Sequence, residues 1–340
     1  MKHFLNILFF TSIVQISFSQ GIHFSQFFNA PILLNPANTA HLMEDDYRAG
    51  VQYRNQYQNI PVPYNTVSAF TDYRLSNKNN ENAWWGLGGA FWNDEAGASR
   101  LKMTKAQVNA AFHVLTDEKN MISFGTGVGY VFRSIDLSGL TFDSQWDEFS
   151  FNNDLPSNEK IISGNINYLD LQAGMNFAHF NNEKIYYKIG ASVLHLNQPK
   201  EAFLGGTNRL GLRPIFDFDM SYKTSKNFMI SPRAYYTYQK KASELLVGFM
   251  TNANLVSGGE VYRSDRNELL TGLYMRVGDA LIVMSGYRWK NTTFMLSYDH
   301  TISGLSAANK GVGAIEFSLI YSNRYSNAGR ETKILGCPRF

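Results

Sequence analysis

Tyr47-Arg48-Ala49-Gly50-Val51-Gln52-Tyr53-Arg54-Asn55-Gln56-Tyr57 is the stretch from which the fold is read. Tyr47, Ala49, Val51, Tyr53 and Tyr57 share one face, and Arg48, Gly50, Gln52, Arg54 and Gln56 share the other. A period of two with one apolar and one polar side is the mark of a β-strand. The same alternation returns at Leu169–Phe177, at Phe216–Tyr222 and at Ile315–Tyr321. A soluble sandwich turns such a polar face to water, and a barrel turns it to its lumen, so alternation alone leaves both open.

Strand number and turn length go further. Strands are predicted at 46–57, 64–75, 83–94, 100–115, 120–133, 164–180 and 184–196. They continue at 209–222, 227–239, 243–254, 268–277, 280–289, 292–300 and 312–323. About fourteen strands result, within a range of 12–16, an even number as in bacterial single-chain barrels. Short connections such as Thr116–Asn120, Asn181–Lys184, Lys223–Asn227 and Trp289–Asn291 contrast with long ones at 134–163, 197–208 and 301–311. Short turns on one rim and long loops on the other is the outer-membrane arrangement. Residues 255–267 make an oversized turn on the rim that should be short. The expected fold is therefore all-β, a transmembrane antiparallel up-and-down barrel over residues 46–325.

Composition agrees with a wall that meets lipid. Aromatic residues make up 14% of the chain and charged residues 17%, against about 25% charged in ordinary soluble domains. The net charge of +3 is spread along the chain, which offers no basic patch for nucleic acid. Cys337 is the one cysteine, so no intramolecular disulfide can form.

The first residues read as an export signal. Lys2 precedes a mostly apolar run from Phe4 to Ile16, and Ser17-Phe18-Ser19 sets small residues before a cut that leaves Gln20 first. The run is interrupted by Asn6, Thr11, Ser12 and Gln15 and falls short of the ~20 residues of a spanning helix. Residues 1–19 are expected to be removed. Residues 20–45 form an N-terminal segment that either plugs the barrel or sits below it at the periplasmic face, and 326–340 form a C-terminal tail. Pro31 and Pro36 predict that the N-terminal segment is extended rather than helical.

Several pieces in order carry a family resemblance. They are His23–Pro31, Leu34–Ala37, Tyr53–Tyr57 with Pro63–Thr66, Gly86–Gly89 running into Asn93–Gly97, and then Asp279-Ala280. Gly286–Arg288, Ser297–Asp299, Ser303–Leu305 and the closing Cys337-Pro338-Arg339-Phe340 complete the set. The chain resembles the PorP/SprF family of Bacteroidota outer-membrane proteins, which are associated with type IX secretion. The resemblance implies a non-enzymatic barrel that supports export or surface display of cargo such as large gliding-type adhesins. It also implies partners: other type IX components, including outer-membrane and periplasmic lipoproteins, and secreted cargo with a C-terminal sorting domain. A porin or hydrophobic-solute transporter is the alternative that the strands by themselves leave standing.

The side chains support few chemical roles. Arg48, Arg54 and Arg74, with Asp72 as a partner, fall on or near the polar faces of the first two strands. Arg288, Asp299 and Glu316 lie on successive late strands and are placed to pair across the wall or bind a plug. A charge network filling the lumen is expected, because a buried charge must be paired. His23, Phe24, Phe27 and Phe28 at one end, and Cys337, Arg339 and Phe340 at the other, are expected partner contacts. Gly86, Gly88 and Gly89 remove side chains from a strand, which suits a tight bend or close backbone approach. Asp299 and His300 are adjacent and point to opposite faces, and no catalytic or metal-binding spacing occurs. Asp143, Asp147, Glu148 and Asp154 read as a solvated acidic loop rather than a calcium site. No cofactor, catalytic residue or metal is assigned.

Overall fold

The structure, a computed structural model, describes residues 24–325 apart from 58, 60–63, 78–79, 98–100, 137–141, 153, 157, 159–163, 182–183, 204–205 and 256–265. The export signal, His23, Cys337, Arg339 and Phe340 lie outside the described residues. Seven strands form the first half: Tyr47–Gln56 (β1), Tyr64–Asn77 (β2), Asn80–Ala96 (β3), Leu101–Leu115 (β4), Asn120–Ser134 (β5), Asn165–Asn181 (β6) and Ile185–Leu194 (β7). Seven more follow: Arg213–Ser225 (β8), Phe228–Gln239 (β9), Ala242–Asn254 (β10), Asn267–Arg276 (β11), Ala280–Trp289 (β12), Thr292–Thr301 (β13) and Val312–Asn323 (β14). Each pairs antiparallel with its neighbours in sequence, and β1 pairs with β14 to close the barrel. Among the described residues closure leaves no strand edge unpaired, and an unpaired edge is what lipid would not tolerate.

One rim carries the connections 78–79, 116–119, 182–184, 226–227, 255–266 and 290–291. The opposite rim carries 57–63, 97–100, 135–164, 195–212, 240–241, 277–279 and 302–311. The long loops thus gather on one side, and 255–266 is the exception on the short-turn rim. Long loops face outward and short turns face the periplasm in outer-membrane barrels.

Period-two alternation sorts side chains between lipid and lumen. On β1, Val51 and Tyr53 are exposed on the outer wall, while Gln52 and Arg54 are buried inside. On β6, Leu169 and Leu171 face out, and Asp170, Gln172 and Asn176 face in. Tyr47 stands within ring-contact distance of Tyr73, Tyr321 and Tyr325 at the short-turn rim, the position of an interfacial aromatic girdle.

The inner face is not polar throughout. Leu246, Met250, Leu270, Tyr274, Ile282, Met284 and Met295, all on β10–β13, are buried inside the barrel and pack around Phe27. The middle of these strands is apolar on both sides, one face against lipid and the other against the plug, while Glu244, Glu268, Arg276 and Asp299 lie on the inner face nearer the strand ends.

Those residues occupy the lumen. The expectation of an extended segment is corrected: Phe27–Asn29, Pro31–Leu33 and Pro36–Asn38 are short 3-10 turns. Pro31 and Pro36 open their turns, where a fixed φ suits the first helical position and the missing N–H leaves no helical bond unmade. Asn35 caps the third turn by accepting the N–H of Ala37 at 2.9 Å.

Candidate functional site: the filled lumen

A short plug with little regular structure must find partners for its main-chain groups outside itself. The barrel wall supplies them. Gln52 donates to the carbonyl of Gln26, Asn109 and Gln107 to that of Ile32, and Ser192 to that of Leu34. The His113 ring bonds the carbonyl of Thr39 at 2.8 Å, and Trp84 donates to that of Ala40 at 3.2 Å. In the other direction, Asp72 accepts the N–H of Ala40 at 2.8 Å. Asn35 donates to Asn176, whose amide donates to Asn38. Lys188 reaches the same Asn38 oxygen at 2.7 Å and pairs with Asp217 at 3.1 Å.

The plug backbone comes so close to β3 and β5 that side chains are excluded there. A Cβ on Gly86 would collide with the carbonyl oxygen of Thr39, and one on Gly125 would overlap the Pro36–Ala37 peptide. Gly86 is thus a residue of close approach. Gly89 has only ordinary contacts and plays no such part.

The other end of the plug is held by charge. Ser25 Oγ donates to Asp299 at 2.7 Å and accepts from Arg54 at 2.7 Å and Arg276 at 2.9 Å. Glu316 accepts the backbone N–H groups of Ser25 and Gln26 at 2.8 and 2.9 Å and pairs with Arg54 at 3.0 Å. Arg54 also pairs with Asp299 at 3.0 Å, and Arg276 bridges Asp299 and Glu244. Two guanidinium groups and three carboxylates, every side chain at most 5% exposed, therefore lock β1, β10, β11, β13 and β14 onto one serine. Arg54 lies two residues from the end of β1 and Asp299 two from the end of β13, so this latch sits toward the long-loop rim. The plug enters at the short-turn rim, where the N–H of Asp46 bonds Asn323, and climbs to the latch.

At the foot of the plug a cavity of about 330 Å³ remains between Phe28, Pro31, Leu34 and the inner faces of β7–β12. Arg233 stands over the Phe28 ring at 4.5 Å and pairs with Asp219 at 2.9 Å. Arg266 pairs with Glu44 of the plug, and Arg288 with Glu268 at 3.1 Å, near the mouth.

Compared with known proteins, residues 16–321 match the family described as type IX secretion system membrane protein PorP/SprF. The chain belongs to the PorP/SprF family. It is an outer-membrane β-barrel of the type IX secretion system. No curated protein matches it. Among solved structures, the Pseudomonas putida toluene transporter TodX is similar at 10% identity and a TM-score of 0.50, covering 88% of this chain and 95% of that one. A TodX deltaS2S3 mutant, described as a monoaromatic hydrocarbon channel, gives 9% identity and a TM-score of 0.50, with coverage of 87% and 94%. At such identity these structures share the barrel fold and nothing more is carried from them.

In this family member the seven charged residues singled out in the sequence separate into four places. Arg54, Asp299 and Glu316 meet at the latch. Arg48 and Asp72 form a two-point pair at 3.1 and 2.6 Å beneath Ala40. Arg74 lies apart, stacked over Trp84 at 3.9 Å with Ser76 as a hydrogen-bond partner. Arg288 is at the cavity mouth. Phe24 and Phe27 are buried inside the barrel, and Phe28 lines the cavity. Sequence reading missed Ser25, Arg276 and Glu244, and also Lys105, which pairs with Asp170 while Asp170 bonds His195 at 2.8 Å. Arg276 was hidden because Leu270 and Tyr274 make the inner face of β11 as apolar as the outer one. Extending the alternation from Glu268 would have placed it inside.

Proposed function

We propose that this barrel supports export or surface display of large cargo proteins through protein contacts at its two rims, rather than by conducting solutes. The observation that carries this reading is the lumen, occupied by residues 24–46 and bonded to the wall along its length. A plug latched by buried ion pairs is costly to displace, since breaking one such pair costs about 3–5 kcal/mol. The proposed partners are other type IX components and cargo bearing a C-terminal sorting domain. His23, Cys337, Arg339 and Phe340 stay proposed contacts at the chain ends, and the cavity mouth by Glu44 and Arg266 adds a proposed contact surface toward the short-turn rim. The role is a non-enzymatic one.

The test is the secreted and surface proteome of a clean deletion strain beside its complemented parent. Loss of one large surface protein marks a dedicated partner, and loss of all type IX cargo marks a general component. An unchanged proteome overturns the proposal. Planar-bilayer recording of the purified barrel supplies the complement: the intact chain is expected to be silent, and a chain lacking residues 24–44 to conduct.

A further inference from the structure

The loop 135–164 is the longest on the outward rim, and its middle is built rather than slack. Gln145 is buried, accepts the N–H of Phe142 at 3.0 Å and donates to the carbonyl of Leu155 at 2.9 Å. The N–H of Asn152 bonds the carbonyl of Gln145 at 2.8 Å. Above this base, Trp146 and Phe151 bridge and contact edge to face at 5.0 Å. Asp147 closes the tip by accepting the N–H groups of Phe149 and Ser150 at 3.1 and 2.8 Å. These bonds hold its carboxyl below the usual carboxylate range, so the turn stays closed in mild acid. Glu148 takes a left-handed φ of 78°, a strained backbone for a residue with a side chain.

The whole device displays three rings. Trp146 is 50% exposed, Phe151 49% and Phe149 89%. The turn's bonds fix the main chain that carries these rings, and Trp146 and Phe151 also hold one another, so part of the ordering that binding would cost is already made. Around them, Asp143, Asp147, Glu148 and Asp154 supply four carboxylates, and no lysine or arginine occurs between 142 and 156. Residues 142–152 follow the end of β5 and precede β6, outside both strands of the lipid-facing wall.

We propose that the 142–152 tip is a docking surface, on the outward rim, for a protein segment that combines lysine or arginine with aliphatic or aromatic side chains. The rings supply the anchor, and the carboxylates select a basic partner and disfavour an acidic one. The anionic headgroups of a membrane surface attract basic segments, so four carboxylates turn this tip away from lipid. The inference deepens the reading that protein contacts are what this barrel provides, and names where one of them lies.

The experiment replaces Phe149 with p-benzoylphenylalanine in the full-length protein and irradiates intact cells, then sequences the cross-linked peptides. Correct barrel insertion is checked by heat-modifiable electrophoresis, which an exposed tip residue should leave unchanged. The expected adduct is with a protein segment of net positive charge. Its yield should fall about three- to tenfold when Glu148→Gln and Asp154→Asn are combined, as for two exposed charge pairs. It should fall again at high ionic strength, which screens such pairs. Adducts with lipopolysaccharide alone, adducts with acidic segments, or no adduct overturn the proposal. Scoring cargo secretion in the same strain keeps the two readings apart: normal secretion without an adduct sinks the docking surface and spares the secretion role.

Discussion

The plug meets the two halves of the lumen in different ways. Against β3–β6 its main chain lies directly on the wall, over Gly86 and Gly125, with Asn109, Gln107, His113 and Trp84 bonded to its carbonyl groups. Against β8–β12 mainly side chains reach across: Phe27 enters an apolar patch, Phe28 stacks with Tyr274, and below them the cavity stays open. Where backbone touches wall, the wall must give up side chains and provide polar partners, because an unpaired peptide group buried there costs about 1–3 kcal/mol. Where side chains touch wall, ordinary apolar packing suffices and gaps are tolerated. The latch at Ser25 lies beyond both contact regions for most of its partners, straddling the β1–β14 closure: Arg54 comes from β1, and Glu316, Asp299, Arg276 and Glu244 come from β14, β13, β11 and β10.

The strongest way to break this comparison is at the latch. Arg54→Ala leaves Glu316 buried without its ion-pair partner and Asp299 with Arg276 alone, and should destabilise the barrel by about 3–5 kcal/mol. Urea titration of the folded band in heat-modifiable electrophoresis measures this, and a shift below about 1 kcal/mol would mean the latch is not structural. A second substitution separates the halves. Gly125→Val forces side-chain atoms into the Pro36–Ala37 peptide and should cost about 1–3 kcal/mol. Met229→Leu, on the cavity side, keeps its volume beside open space and should cost about 1 kcal/mol or less. Equal costs measured by the same titration would erase the distinction between backbone and side-chain contact. The smallest effect is expected where both partners of a pair meet water. Lys102 and Glu95 are 46% and 39% exposed at 3.5 Å, so water screens them, and Lys102→Ala should cost about 0.5 kcal/mol or less. A loss as large as that of Arg54→Ala would show that depth does not govern the worth of these ion pairs.

Particular strands show what could be read beforehand. On β1, β6 and β14 the inner face is polar and the outer face apolar, so alternation marks both the strand and its direction. Arg54 and Glu316 were placed inside on that basis, and they lie opposite one another in the β1–β14 register. In the middle of β11 and β12 both faces are apolar, because the inner one packs on Phe27, and lumen residues nearer the strand ends such as Arg276 lose their signature. The 3-10 turns of the plug escaped because each proline restricts the residue before it yet also suits the start of a helical turn. Which effect prevails depends on what the wall offers to the freed main chain.

The chain alone pointed to a closed barrel of about fourteen strands with an outward apolar face. A period of two gave the strands and their faces. The even strand number, with short turns on one rim and long loops on the other, favoured a barrel, which satisfies every backbone group in lipid, over a sandwich. Tertiary structure decided which charges meet. Arg54, Arg276, Asp299, Glu316 and Ser25 are separated by up to 291 residues, and only barrel closure and the path of the plug bring them to one point. Pairing of buried charge depends on distances of 3 Å between side chains from different strands, and periodicity records the face of a residue but not its height along the barrel.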